Sequence, residues 1–133
     1  MKFAIMSYEL IEILKKRAES FLKNSEKLIL EQEWDLAAFN LEQYCKLILK
    51  YLLLLKKGGY SRTHSLRALI RELGSIKREV LRLVEDEKYL HYIARLEEAY
   101  IASRYLPYSY EESEVKSLYR FVLEVFKPAV EGW

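Results

Sequence analysis

The sequence predicts an all-α fold, an antiparallel up-and-down bundle of about five helices, and three observations predict it. Half of the chain is hydrophobic, and Leu, Glu, Lys, Arg and Ala dominate it, the composition of a helix former. The two prolines come late, at Pro107 and Pro128, so no strong breaker interrupts the first hundred residues. Strand-like runs of Val, Ile and Thr are absent, and Thr63 is the only threonine. At 133 residues the chain fits one domain, residues 1–133, long enough to bury most of its apolar surface in a single core.

A first helix is expected from about Ser7, a good N-cap, to about Gln32. Its stripe is Leu10, Leu14, Ala18, Phe21, Ser25 and Leu28, spaced three and four apart, with Lys15, Lys16, Glu19, Lys23 and Lys27 away from it. A second helix should start near Trp34-Asp35 and stop at Gly58-Gly59. Its early turns should bury Leu36, Ala37, Phe39 and Leu41. Its late turns are apolar almost all round, which places it at the centre of the bundle or in a dimer interface.

Ser61 is expected to cap a short third helix that carries His64, Leu66, Leu69, Ile70 and Leu73 and ends at Gly74. Ser75 should cap a fourth segment with Ile76, Val80, Leu81 and Val84. Glu85-Asp86-Glu87 then either breaks it or opens a new first turn, since carboxylates favour helix N-termini. Leu90, Ile93, Leu96, Tyr100 and Ile101 carry the helical period to about Arg104. Leu106-Pro107-Tyr108-Ser109 reads as a loop. A last helix from about Glu111 faces Val115, Leu118, Val122, Val125 and Phe126 inward, and Pro128 should kink or end it. Short connections between amphipathic helices favour up-and-down packing.

Charge is unevenly spread. Residues 56–82 hold eight basic against two acidic side chains (net +6), and residues 83–114 hold three against eight (net −5). Such a dipole can steer a charged partner onto one face, or the two stretches can pair with each other. The apolar run Leu47 to Leu55 is interrupted by Lys50 and is far short of the roughly 20 residues a bilayer requires, so no membrane segment is expected. Met1 to Met6 is too short for a secretory h-region. The single Cys45 cannot form an internal disulfide, which suits a reduced, cytoplasmic protein. Few Asn, Gln and Cys beside many charges suggest a thermophile source.

Three segments carry a family likeness. One is the helix Trp34-Asp35-Leu36-Ala37-Ala38-Phe39 through Gln43-Tyr44-Cys45-Lys46-Leu47-Ile48-Leu49-Lys50-Tyr51-Leu52-Leu53. The second, after a glycine-containing loop, is Thr63-His64-Ser65-Leu66. The third is Ala99-Tyr100-Ile101-Ala102-Ser103-Arg104-Tyr105. Their order and spacing resemble the HEPN family, helical bundles that usually dimerise. Many members are ribonucleases that depend on an Arg, four to six residues, then His. Many are encoded beside a minimal nucleotidyltransferase as a toxin–antitoxin pair, and nucleotide binding has been proposed for others. The resemblance implies a homodimer, a nucleotidyltransferase-fold partner, and nucleotide or RNA as ligand.

By this resemblance Arg104 holds the family's arginine position, but Tyr105-Leu106-Pro107-Tyr108-Ser109-Tyr110 follows, without the histidine. Cleavage by that route needs a group that moves a proton near pH 7, which His does and Tyr, with a pKa of about 10, does not. Strong nuclease activity is therefore not expected. In some toxin members a tyrosine just beyond that histidine is modified by the partner transferase, and Tyr108 and Tyr110 fall near that place.

The candidate nucleotide or RNA contacts are Arg104, Lys50, Lys46, Gln43 and Tyr105. Arg104 suits a phosphate or carboxylate; it also suits the helix dipole or a neighbouring tyrosine. Lys46 and Lys50, one turn apart on an apolar helix, line a polar groove, snorkel, or pair with a carboxylate such as Glu42. His64 packs at a helix start, contacts a phosphate beside Arg62 and Arg67, or, with Arg104, serves a ribonuclease whose general base is displaced. Tyr89, Tyr92, Tyr100, Tyr105, Tyr108 and Tyr110 stack bases or pack the core. His91 one turn after Glu87 makes two ligands and no metal site, and no cofactor motif is present. A purely structural dimerisation module is the remaining reading.

Overall fold

The computed structural model describes the backbone of residues 2–105 and 110–132, and the side chains of residues 8–101 and 110–132. All regular structure among them is helical. Helices α1 (Lys2–Leu30) and α2 (Trp34–Lys57) form a long hairpin. Then come α3 (Leu66–Gly74), a 3-10 turn (Arg78–Leu81), the single turn α4 (Arg82–Glu85) and α5 (Glu87–Tyr105). The chain closes with α6 (Glu112–Phe121), a π-helical turn (Val122–Phe126) and α7 (Lys127–Glu131) as one continuous body. Helix α1 begins at Lys2, so Ser7 lies within it and does not cap it.

Helix α2 is the axis of the bundle, and its late turns explain why. Ile48, Leu49, Leu53 and Leu54 are all buried and together point around the helix, and α1, α3, α5 and α6 each pack against it. Gly58 stops it in the left-handed conformation (φ 87°), its N–H capping the carbonyls of Leu53 and Leu54. The first turn departs from expectation. Leu36, just past the turn of the hairpin, is 50 % exposed and Phe39 is half-buried, while Ala37, Ala38 and Leu41 are buried.

The start of α3 is set from a distance. Its N-cap is Ser65, whose Oγ accepts from Ala68 N, and not Ser61, whose N–H and hydroxyl both bond the Glu72 carboxylate. His64 therefore precedes the helix. Ser75 likewise caps nothing that follows: its hydroxyl donates to Glu72 O and finishes α3. Gly74 meets Leu81 so closely that a Cβ there would sit 2.2 Å from Leu81 Cδ2. Asp86 breaks α4 from α5 and also caps the latter, its Oδ1 accepting from the amides of Lys88 and Tyr89. Pro128 neither ends nor breaks the last helix. The π turn widens the helix just before it, where the ring and the missing N–H would otherwise disrupt an α turn.

The core is one cluster built on α2, with a small satellite of Ile11, Leu14 and Leu54 under the start of α1. Tyr92 stacks on Phe121 at 4.8 Å and Tyr89 lies 5.9 Å from the same ring, so these tyrosines pack α5 on α6. Cys45 is wholly buried, and burial raises its thiol pKa, which leaves it an inert core residue. No described helix is long and apolar enough to cross a membrane.

Candidate functional site

A polar cluster sits where the middle of α2, the entry to α3 and the second half of α5 meet. Its deepest member is Glu42, at 0 % exposure. Glu42 forms an ion pair at 3.1 Å with Lys46, one turn along α2 and itself buried. Gln43 Nε2 donates to Glu42 Oε1 at 2.8 Å. Burial pushes the Glu42 carboxyl up to about 7. The attraction of Lys46 and the Lys46 and Gln43 hydrogen bonds pull the other way and lose, and the negative charge of Glu97 adds to the rise.

Toward solvent, the Lys46 ammonium lies 3.6 Å from the centroid of the half-buried Tyr100 ring. The same ring stacks with the exposed His64 at 5.0 Å and an interplanar angle of 21°. The cluster therefore passes from a buried carboxylate through an ammonium and a phenol ring to a solvent-facing imidazole. Lys50 continues the series along α2. Its Nζ is 5.3 Å from the Tyr60 ring, and burial, then the neighbouring Lys46 charge, lowers its pKa.

The entry to α3 is an anion-binding helix end that the chain fills itself. Glu97 on α5 accepts from Ser65 Oγ at 3.0 Å and from the Arg67 amide at 3.1 Å, and pairs with the Arg67 guanidinium at 2.7 Å. Arg67 is thus held by Glu97, and the basic and acidic stretches do pair at this point. Arg104 stands seven residues after Glu97 and four after Tyr100 on α5, hence on the same helical face. Its side chain, like that of Tyr105, lies outside the described residues.

Of the residues proposed from sequence, Lys46, Lys50 and His64 come together around Tyr100 and Tyr60. Gln43 is shared: its amide touches Glu42, and it also lines an open groove between α1 and α2 with Arg17, Asn24 and Asn40. Tyr108 lies outside the described residues. Tyr110 is buried, with its N–H bonded to Asp35 Oδ1 and its hydroxyl donating to Arg95 O. A group so enclosed must leave its pocket before any transferase could reach it. Sequence reasoning missed Glu97 as an organiser of the site and named Tyr100 only as one of six tyrosines; the signal was that the two fall seven and four residues before Arg104, on its side of the helix. No described trio of His, Cys, Asp or Glu gathers closely enough to hold a metal ion.

Two further clusters are structural in geometry. Arg95 binds Glu114 through Nε and through Nη2 at 2.8 Å, and also Glu98, which fastens α5 to α6. The buried Tyr44 hydroxyl donates to the Glu131 carboxylate and packs edge-on to Phe126. Burial and that carboxylate raise the phenol pKa well above its usual range.

Compared with known proteins, residues 11–133 match the family model of the HEPN domain. No curated protein and no solved structure matches the chain.

Proposed function

The chain belongs to the HEPN family, and on that premise we propose that it binds a nucleotide or RNA phosphate at the Tyr100 cluster, as one component of a two-gene toxin–antitoxin-like module. Its partners in this reading are a second copy of itself and a nucleotidyltransferase-fold protein. The observation that carries it is the joint placement of Lys46 and His64 against the Tyr100 ring, one helical turn before Arg104. Arg104 offers the planar fork for a phosphate, and the exposed His64 ring, stacked on the half-buried Tyr100, offers a surface for a base. Strong nuclease activity is not part of this reading, because the six residues after Arg104 contain no proton carrier suited to neutral pH.

Fluorescence anisotropy with a short labelled RNA and with ATP tests the reading. Arg104→Ala is expected to weaken binding by about tenfold or more, the effect of losing one charge-assisted contact. Unchanged affinity in that variant would remove Arg104 from the site. A second reading is favoured by one observation, the exposure of His64 beside the Arg104 face: a metal-independent ribonuclease with His64 as general base. In a cleavage assay this reading requires turnover by the wild type that His64→Ala abolishes while RNA affinity stays within about twofold.

A further inference from the structure

Lys46 joins the buried end of the Tyr100 cluster to its exposed end. Its ammonium meets the Glu42 carboxylate at 3.1 Å and lies 3.6 Å from the centroid of the Tyr100 ring. Both members of the ion pair are buried, so water and salt screen it little. With Glu42 ionised, the two charges largely cancel as felt from the ring. With Glu42 protonated, the Lys46 charge acts there uncompensated. The Glu42 carboxyl, pushed up to about 7 by burial, passes between these states around neutral pH. The charges that act on it come from α2 and α5: Lys46 attracts and Glu97 repels. Glu97 is itself engaged by Ser65 and Arg67 at the entry to α3, while Cys45 and Lys50 on α2 feel Glu42 in turn. Among the described residues, α1, α6 and α7 add no charge to this balance. His64 stands beyond the Tyr100 ring, and Arg104 follows on the same face of α5.

We propose that Glu42 sets the anion affinity of this site: a phosphate is held at the Tyr100 face more tightly when the Glu42 carboxyl carries a proton, and binding of the phosphate draws a proton from solvent onto that carboxyl. This coupling presupposes the phosphate site proposed above and adds pH as its regulator. Glu42 touches no ligand. It is a positioning residue that acts through Lys46, whose single positive charge is divided between the buried carboxylate and the bound anion. The two effects are reciprocal: the factor by which protonation favours the phosphate is the factor by which the phosphate favours the proton. A unit charge about 10 Å away, at an effective dielectric of about 20, changes affinity by roughly tenfold.

The probe is hexauridylate with hydroxyl ends, whose phosphodiesters and bases keep one charge state across the neutral range. In the full chain labelled with carbon-13 glutamate, the Glu42 carboxyl resonance is followed by NMR against pH, with and without the RNA. Its midpoint is expected to move to higher pH when the RNA is bound. By fluorescence anisotropy, affinity should fall about three- to tenfold from about pH 6 to about pH 8. A folded Glu42→Gln should bind at about pH 8 nearly as tightly as the wild type does at about pH 6, a gain that a merely structural role would not produce. The exposed His64 also gains charge on acidification, so the series is repeated in His64→Asn, where the remaining pH dependence should vanish on adding Glu42→Gln. RNA bound with an unmoved Glu42 titration, or a folded Glu42→Gln that binds no tighter than the wild type at about pH 8, would overturn the coupling and leave the phosphate site standing. No RNA bound at any pH would overturn both. The carboxyl titration is read in the wild type, so it decides the matter even where Glu42→Gln fails to fold.

Discussion

Two lysines are taken out of water in this bundle, and their surroundings differ. Lys46, 4 % exposed, is met inside the protein by a carboxylate that is buried with it and by an aromatic ring. Lys77, 8 % exposed, borders a cavity, and the acid that acts on it, Glu79, is exposed. The first is a charge whose partner the fold supplies. The second is a charge at a cavity wall, acted on by an acid that itself faces solvent. Burial alone therefore does not tell how a lysine is accommodated; the location of the acid that acts on it does.

The largest expected effect tests the first half of that contrast. Lys46→Met should lower stability by about 3–5 kcal/mol in urea unfolding, because Glu42 is left buried without its cation. The double variant with Glu42→Leu should recover most of that loss, since an apolar pair of similar volume avoids both desolvation costs. If the double variant is no better than the single one, the pair contributes through something other than mutual neutralisation.

A pH series sharpens the same point. The Glu42 carboxyl is raised from 4.5 to about 7 in the folded chain, so between those values the native state binds the proton that the unfolded state has released. The contribution of this group to stability is then full below about 4.5 and is lost as pH rises through about 7. Glu42→Gln should flatten that part of the stability profile, measured as the urea midpoint from pH 4 to pH 8 at about unit steps. An unchanged profile would mean that Lys46 outweighs burial.

The smallest effect belongs to the second lysine. Lys77→Met should change stability by less than about 1 kcal/mol, or raise it slightly, because Glu79, which acts on it, is exposed and stays hydrated after the change. A loss as large as that of Lys46→Met would erase the distinction between the two sites.

How much of this was legible in sequence depends on how far apart the deciding residues lie. The centre of the bundle was readable, because the all-round apolar turns of α2 demand cover on several sides and Gly58 marks their end. The pairing of Lys46 with Glu42 was readable as one alternative, being a single turn along one helix. The cap of α3 was not. Ser61 and Ser65 are equivalent by local rules, and the choice is made by Glu72, eleven residues after Ser61, and Glu97, thirty-two after Ser65. The exposure of Leu36 was hidden in the same way, since helical periodicity names a face and not what covers it. The Lys77 cavity left only a faint trace, an excess of basic residues, because its other wall comes from a π turn some fifty residues later.

The bond between Tyr44 and Glu131 spans eighty-seven residues, against the three-residue turn that joins α1 to α2. Seen in time, the hairpin of α1 and α2 can close early, with little loop entropy to overcome. The last turn can reach the middle of α2 only after the intervening chain has packed. That contact is expected to be absent from the folding transition state, so removing it should speed unfolding and leave the folding rate almost untouched. The carboxylate at the end of α7 would then act chiefly as a latch on the lifetime of the folded state.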